Sequence, residues 1–362
     1  MRYDKSIDRV RGFLVLIMVY AHVLQFFGNG GAYPAIPRII DVINILVFPT
    51  FVFCFGRSAA IAYLQKSFRA AAPRLVKTIL TLYAVFVLSG LGFRLLREGA
   101  AFNTVTVEKI LLLDDLPGWS EFLAAFAAYA LVVLLLFKPL QWLSSRMVPT
   151  LIASAICLSL CFLPYGLIQS NQIGLFIGTR GFACFPVVQY APYLLAGIYW
   201  QTTKKHGWTW ALTGLGATLA GVVYTMINGL PERFPPSLPW VLLTGFFPVA
   251  MSFLAAKIND LPRYLIPVDG WLRNVGRKSL FYLLSSNLVI FALAGLHAAP
   301  VVTKRDIWFW KQPIGSPLGA LLWTAVLLFA IGIVSTLAGR MSEKAQSKAR
   351  EPEKDATGVP AS

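Results

Sequence analysis

Charge is what this chain has least of. Only 13% of its 362 residues are charged against 57% hydrophobic, whereas a soluble globule carries about a quarter of its residues as Asp, Glu, Lys and Arg. Acidic residues are scarcer than basic ones, 16 against 32, and there are three histidines and four cysteines. No glycine-rich loop is spaced to cradle phosphate, no His/Cys/Glu set has metal-ligand spacing, and no nucleophilic serine sits in an elbow motif. These absences exclude a P-loop NTPase, a metal-dependent enzyme and a serine hydrolase. Acids placed regularly within the apolar runs are missing too, which argues against a proton pump.

Long apolar runs are what the chain has instead, with a mean hydropathy of +0.66. Ten are read, at 10–28, 39–64, 75–96, 119–137, 148–165, 182–201, 207–228, 238–258, 279–298 and 316–338. Each approaches the roughly 20 residues that cross a hydrocarbon core of about 30 Å. The expected fold is therefore all-α, a membrane bundle of about ten transmembrane helices. The first run lacks a small-residue cleavage site and counts as a span. With the N-terminus inside, 22 of the 32 Lys and Arg fall on the inner side and nine on the outer. That bias places both termini in the cytoplasm and the protein in the cell membrane as a multi-pass chain. Spread over every inner loop, the net charge of +16 reads as topology rather than as affinity for nucleic acid. Cys54, Cys157, Cys161 and Cys184 all fall in spans and read as packing residues. Residues 1–340 form the membrane domain; 341–362, charged and poor in apolar groups, are expected to be a disordered cytoplasmic tail.

Ionisable groups inside spans are candidate functional residues. In "DRVRGFLVLIMVYAH", Arg11 and His22 are separated by three helical turns plus roughly 20°, so they share a face about 16 Å apart along the axis. Arg11 then sits at the cytoplasmic interface, either snorkelling or binding an anion, and His22 near mid-membrane. A buried imidazole tends to stay neutral and so available as a base. Arg57, in "FVFCFGRSAA", lies about 10 Å above the inner end of the second run. Two accounts compete for it, an intramembrane salt bridge and a phosphate-bearing ligand entering from the cytoplasm. "KSFRAAAPRLVK" offers Lys66, Arg69, Arg74 and Lys77, which face lipid headgroups or anchor a polyanionic cofactor. Near the other end of the chain, Ser285, Ser286 and Asn287 form a polar cluster of the kind that joins helices. On the outer side, Trp308 and Trp310 in "RDIWFWK" belong to an aromatic belt or stack a sugar ring. A central histidine above a set of cations suggests proton abstraction from one substrate and phosphate anchoring of another.

The opening stretch resembles that of the acyltransferase 3 family of integral membrane acyltransferases, whose first span carries Arg, ten residues, then His. "FVFCFG" is similar to the family's Phe-rich segment, the stretch around Arg69, Pro73 and Arg74 to its basic loop, and "VGRKSLFYLL" to its Gly-x-x-Ser-Leu-x-x-Tyr segment. "GWSEFLAAFAAY", with Trp119 and Glu121, is a weaker likeness. The resemblance covers roughly residues 5 to 340. It departs at Phe55, where the family often has Ser, at Arg57, usually apolar, and at Ser285 and Ser286, where a histidine frequently occurs.

The resemblance implies transfer of an acyl group, often acetyl, from cytoplasmic acyl-CoA to a hydroxyl of a cell-envelope glycan or glycolipid. His22 is then the general base, and Arg11, Arg57, Lys66, Arg69, Arg74 and Lys77 supply the phosphate contacts. Glu121, Trp308 and Trp310 are expected to meet the acceptor. No metal and no permanently bound cofactor is expected. The competing reading is a transporter or flippase for an anionic glycolipid or small anion, with His22 and Arg57 lining its path.

Overall fold

The computed structural model describes residues 4–203, 207–258, 265–298 and 315–350, with backbone alone for Gly207, 297–298 and 339–350. His206, Trp308 and Trp310 lie outside the described residues, within which there is no β-strand. Seven helical segments are long and apolar enough to cross a membrane. They are α1 (Lys5–Phe27), α2 (Ala35–Ala59 with a π-helical turn to Leu64), α3 (Phe68–Gly92 with another to Arg97) and α10 (Gly207–Asn228). The others are the pair α11 (Leu238–Leu242) and α12 (Phe247–Lys257), then α14 (Ser279–Ala298) and α15 (Pro317–Arg350). Helix α15 continues past the apolar segment through 341–350; residues 351–362 are outside the description.

Three expected runs take other forms. The 119–137 run becomes α5 (Glu121–Leu135), followed by α6 (Phe137–Leu143) at a bend of 84°. Pro139 accounts for the break, because it has no N–H for the Leu135 carbonyl and its ring clashes with that carbonyl. The 148–165 run is a shorter helix, α7 (Met147–Ser159), ending in a 3₁₀ turn, and the 182–201 run is α9 (Val187–Thr203). Two short helices, α4 (Thr104–Leu111) and α8 (Asn171–Ile177), lie in connections.

Helix α1 is the hub, packing on α2, α12, α13 (Ile266–Arg277), α14 and α15. In lipid there is little hydrophobic gain from pairing apolar helices, so close van der Waals approach has to hold them. Helices α2 and α9 make that approach through glycine on both sides: a Cβ on Gly56 would strike the Leu194 carbonyl, and one on Gly197 the Phe53 carbonyl.

Charge fastens the N-terminal end of α1. Arg9 forks onto Asp269, Nε to Oδ1 at 2.6 Å and Nη2 to Oδ2 at 3.2 Å, and its Nη1 donates to the Ala255 carbonyl at 2.9 Å. Arg273 reaches the same carboxylate at 2.8 Å, and Arg277 pairs with Asp8 at 3.2 Å. The hydrogen bond from Arg9 holds the Asp269 carboxyl below the usual carboxylate range. A depressed pKa adds stability that is present above the unfolded value, about 3.9, and is lost as pH falls through the folded one. Replacing Asp269 by Asn should lower the melting temperature of the detergent-solubilised protein at pH 7. It should also flatten the loss of stability seen in the wild type below about pH 4. Thermal melts of both proteins across pH 3–7 check it, and identical acid profiles would remove Asp269 as the cause.

Candidate functional site

His22 lies on α1, five residues from its C-terminal end, and is 7% exposed. Its Nδ1 is 3.0 Å from Asn287 Oδ1 on α14. The other end of that amide settles the arrangement: Asn287 Nδ2 donates to the Trp119 carbonyl at 3.2 Å and to Ser89 Oγ at 3.4 Å. A carbonyl accepts only, so the amide nitrogen faces Trp119 and the amide oxygen faces the imidazole. His22 Nδ1 therefore carries the proton, and Nε2 keeps a free lone pair.

Trp119 holds this register with a strained backbone. Its φ is +60°, the left-handed region that a bulky side chain rarely enters. The indole is fixed by packing on Phe26 and Phe93, with ring centroids 4.6 and 5.3 Å away, and its Nε1 donates to Gln25 Oε1 at 2.7 Å. Since indole nitrogen only donates, Gln25 Nε2 is the end of that amide left free. Ser120 extends the network, its hydroxyl 2.7 Å from that of Ser89.

A cavity of about 260 Å³ opens beside His22, at the end of the bundle away from Arg11. Its polar lining is His22, Gln25, Asn44, Glu121 and Arg233, and its walls include Phe48, Phe51, Phe185 and Phe234. Glu121 begins α5, and among the described residues its buried Oε2 has no hydrogen-bond partner; the same is true of Arg233 Nε. The Arg233 guanidinium carbon lies 4.3 Å from the Phe234 ring centre and 5.5 Å from that of Phe185.

The expected phosphate ligands do not form one cluster. Arg57, 3% exposed, is committed to protein groups: Asp4 at 2.8 Å, Ser6 at 3.0 Å, Ser252 at 3.1 Å and Gln201 at 3.2 Å. The salt-bridge account of this residue fits that geometry, and a guanidinium aimed into an inward-facing cavity does not. Arg11 is half-buried and makes no hydrogen bond or ion pair among the described residues. Lys66 is half-buried, whereas Arg69, Arg74 and Lys77 are exposed along the start of α3. Arg74 and Lys77 border an open groove with Tyr63, Thr78, Thr81 and Leu280. That groove lies against α3 and α14, the helices that also carry Ser89 and Asn287, and Leu280 is about 10 Å along α14 from Asn287. Among the described residues, no three His, Cys, Asp or Glu gather as metal ligands, and all four cysteines are free.

Of the residues singled out from sequence, the structure joins His22 and Glu121 in one cavity. The roles of Asn287, Gln25 and Arg233 there were not read. Asn287 stood out as polar within an apolar run, but nothing named its partner, and Arg233 counted only as an outer-loop charge. Compared with protein-family models, curated proteins and solved structures, the chain gives no match.

Replacing Arg57 by Gln should destabilise the protein before any ligand is added. It removes the charge partner of Asp4 and breaks three further hydrogen bonds; the cost is roughly 2–4 kcal/mol, between that of an exposed pair and a fully buried one. Thermal melts of ligand-free protein check this. An unchanged melting temperature, with weakened binding of CoA, would restore Arg57 as a phosphate contact.

Proposed function

We propose that the chain is an integral membrane O-acyltransferase with His22 as general base. The observation that carries the reading is the His22–Asn287 pair, an imidazole fixed in one tautomer with its basic nitrogen free beside a polar cavity. An acceptor hydroxyl in that cavity gives its proton to Nε2 as its oxygen attacks the thioester carbonyl of acyl-CoA. The carbonyl becomes an oxyanion, to which Gln25 Nε2 is the available donor. Collapse of the intermediate forms the ester, breaks the carbon–sulfur bond and expels the CoA thiolate, which takes the proton back from the imidazolium.

On this reading the donor comes from the cytoplasm. Its nucleotide phosphates meet Arg74 and Lys77 at the groove, with Arg69, Lys66 and Arg11 adding to the field, and its pantetheine arm runs between α3 and α14 towards Asn287. Arg57 anchors the start of α1 instead. The acceptor is a glycan or glycolipid displayed on the other side, where Glu121 awaits it. The resemblance to acyltransferase 3 proteins, carried chiefly by the spacing of Arg11 and His22, implies the same chemistry. We take the bundle to have ten spans, counting α5–α6, α7 and α9, with both termini in the cytoplasm and the whole in the cell membrane.

Two measurements follow. Purified protein in liposomes, given acetyl-CoA and an acceptor fraction, should release free CoA. His22→Ala and His22→Gln should lower kcat by roughly two to four orders of magnitude while CoA still binds. Asn287→Ala, which frees the ring to rotate, should cost roughly 100-fold. Near-normal turnover in His22→Gln would remove the base and favour a transporter. One-sided reporters fused at residues 30, 105, 230 and 362 should read outside, outside, outside and inside; an outward report at 362 would mean an odd number of spans.

A further inference from the structure

The chemistry above uses His22 and Gln25 and gives Glu121 to the acceptor, but leaves Arg233 idle. Among the described residues Arg233 makes no hydrogen bond or ion pair, and its Nε is buried. A guanidinium has five N–H donors and no acceptor, so burial without partners is costly. Glu121 answers with a buried oxygen that is also unpartnered. The two side chains interact electrostatically without touching, as do Arg233 and Asp41. Had the pair served only to neutralise each other, contact would satisfy both, yet they line one cavity with no ion pair between them.

We propose that Arg233 and Glu121 form a recognition subsite for a hydroxylated ligand bearing an oxyanion, a carboxylate or phosphate, next to the hydroxyl presented to His22. The faces of Phe234 and Phe185 hold the guanidinium by cation–π contact. That leaves its edge, where the N–H fork lies, for a ligand. A fork of parallel donors matches two oxygens of a carboxylate or phosphate, and such a ligand supplies the acceptors that the guanidinium lacks. Glu121 takes a neighbouring hydroxyl, and the aromatic walls suit the apolar face of a ring. The subsite thus makes Arg233 a specificity-determining residue that selects acidic over neutral acceptors. Its place beside the reacting hydroxyl rests on the acyl-transfer reading; binding itself does not.

Full-length protein in nanodiscs, titrated calorimetrically with D-glucuronate and with D-glucose, tests it. Glucuronate should bind at least tenfold more tightly than glucose, the smaller end of what a charge-assisted bidentate contact supplies. Arg233→Gln should bring the two sugars within about twofold of each other. Arg233→Lys, which keeps the charge and loses the fork, should fall between. Equal affinities in the wild type, no binding of glucuronate, or a preference that survives in Arg233→Gln would each overturn the proposal. Should Arg233→Gln fail to fold, the wild-type comparison still decides. Glucuronate binding without CoA release in any assay would leave the subsite standing and remove acyl transfer. Equal turnover of acidic and neutral acceptors would do the reverse.

Discussion

The amide of Asn287 is the joint on which the site depends. One side chain fixes the imidazole of α1, the backbone before α5 and a hydroxyl of α3, so four parts of the bundle meet at a single planar group. Its orientation is dictated by a carbonyl that only accepts, and the protonation of His22 follows from it. In a hydrocarbon surround no water competes for these groups, so an amide turned the wrong way would leave two of them unsatisfied. A neutral partner also differs from a carboxylate: it orients the ring without adding a charge to be desolvated.

The two ends of α1 treat charge in opposite ways. At the N-terminal end Arg9, Arg57 and Arg277 all reach carboxylates, and the pairs lock helices together. At the other end Arg233 Nε and Glu121 Oε2 are buried without a hydrogen-bond partner among the described residues. Paired charge is framework and unpaired charge is invitation, because a buried ion left alone is tolerable only if something arrives to meet it. The distinction separates structural from binding residues among groups of identical chemistry.

The helices were legible because apolar runs in a charge-poor chain have few alternatives. His22 was legible because an imidazole interrupts such a run. The bend after α5 was not read, although Pro139 marks it, because hydropathy carries no information on direction. Arg57 was harder to place: Asp4 lies outside every apolar run, while Gln201 and Ser252 are 144 and 195 residues away. Asn287 meets His22 across 265 residues, and no spacing rule spans that distance. Arg233 was hidden by its company, since a loop arginine in a basic protein looks like a determinant of orientation.

The pairing of Arg9 with Asp269, 260 residues apart, has a consequence for how the protein is made. Helix α1 leaves the ribosome well before α12 to α15, against which it packs. At 5–20 residues per second, on the order of ten seconds or more separate the two. During that interval Arg9 has no Asp269 to meet, and Gly12, which lies close against the Leu272 carbonyl of α13 in the finished fold, has no neighbour there. Assembly is therefore closed by the C-terminal third of the chain, and a truncated product would present an orphan first helix to the membrane's quality-control proteases.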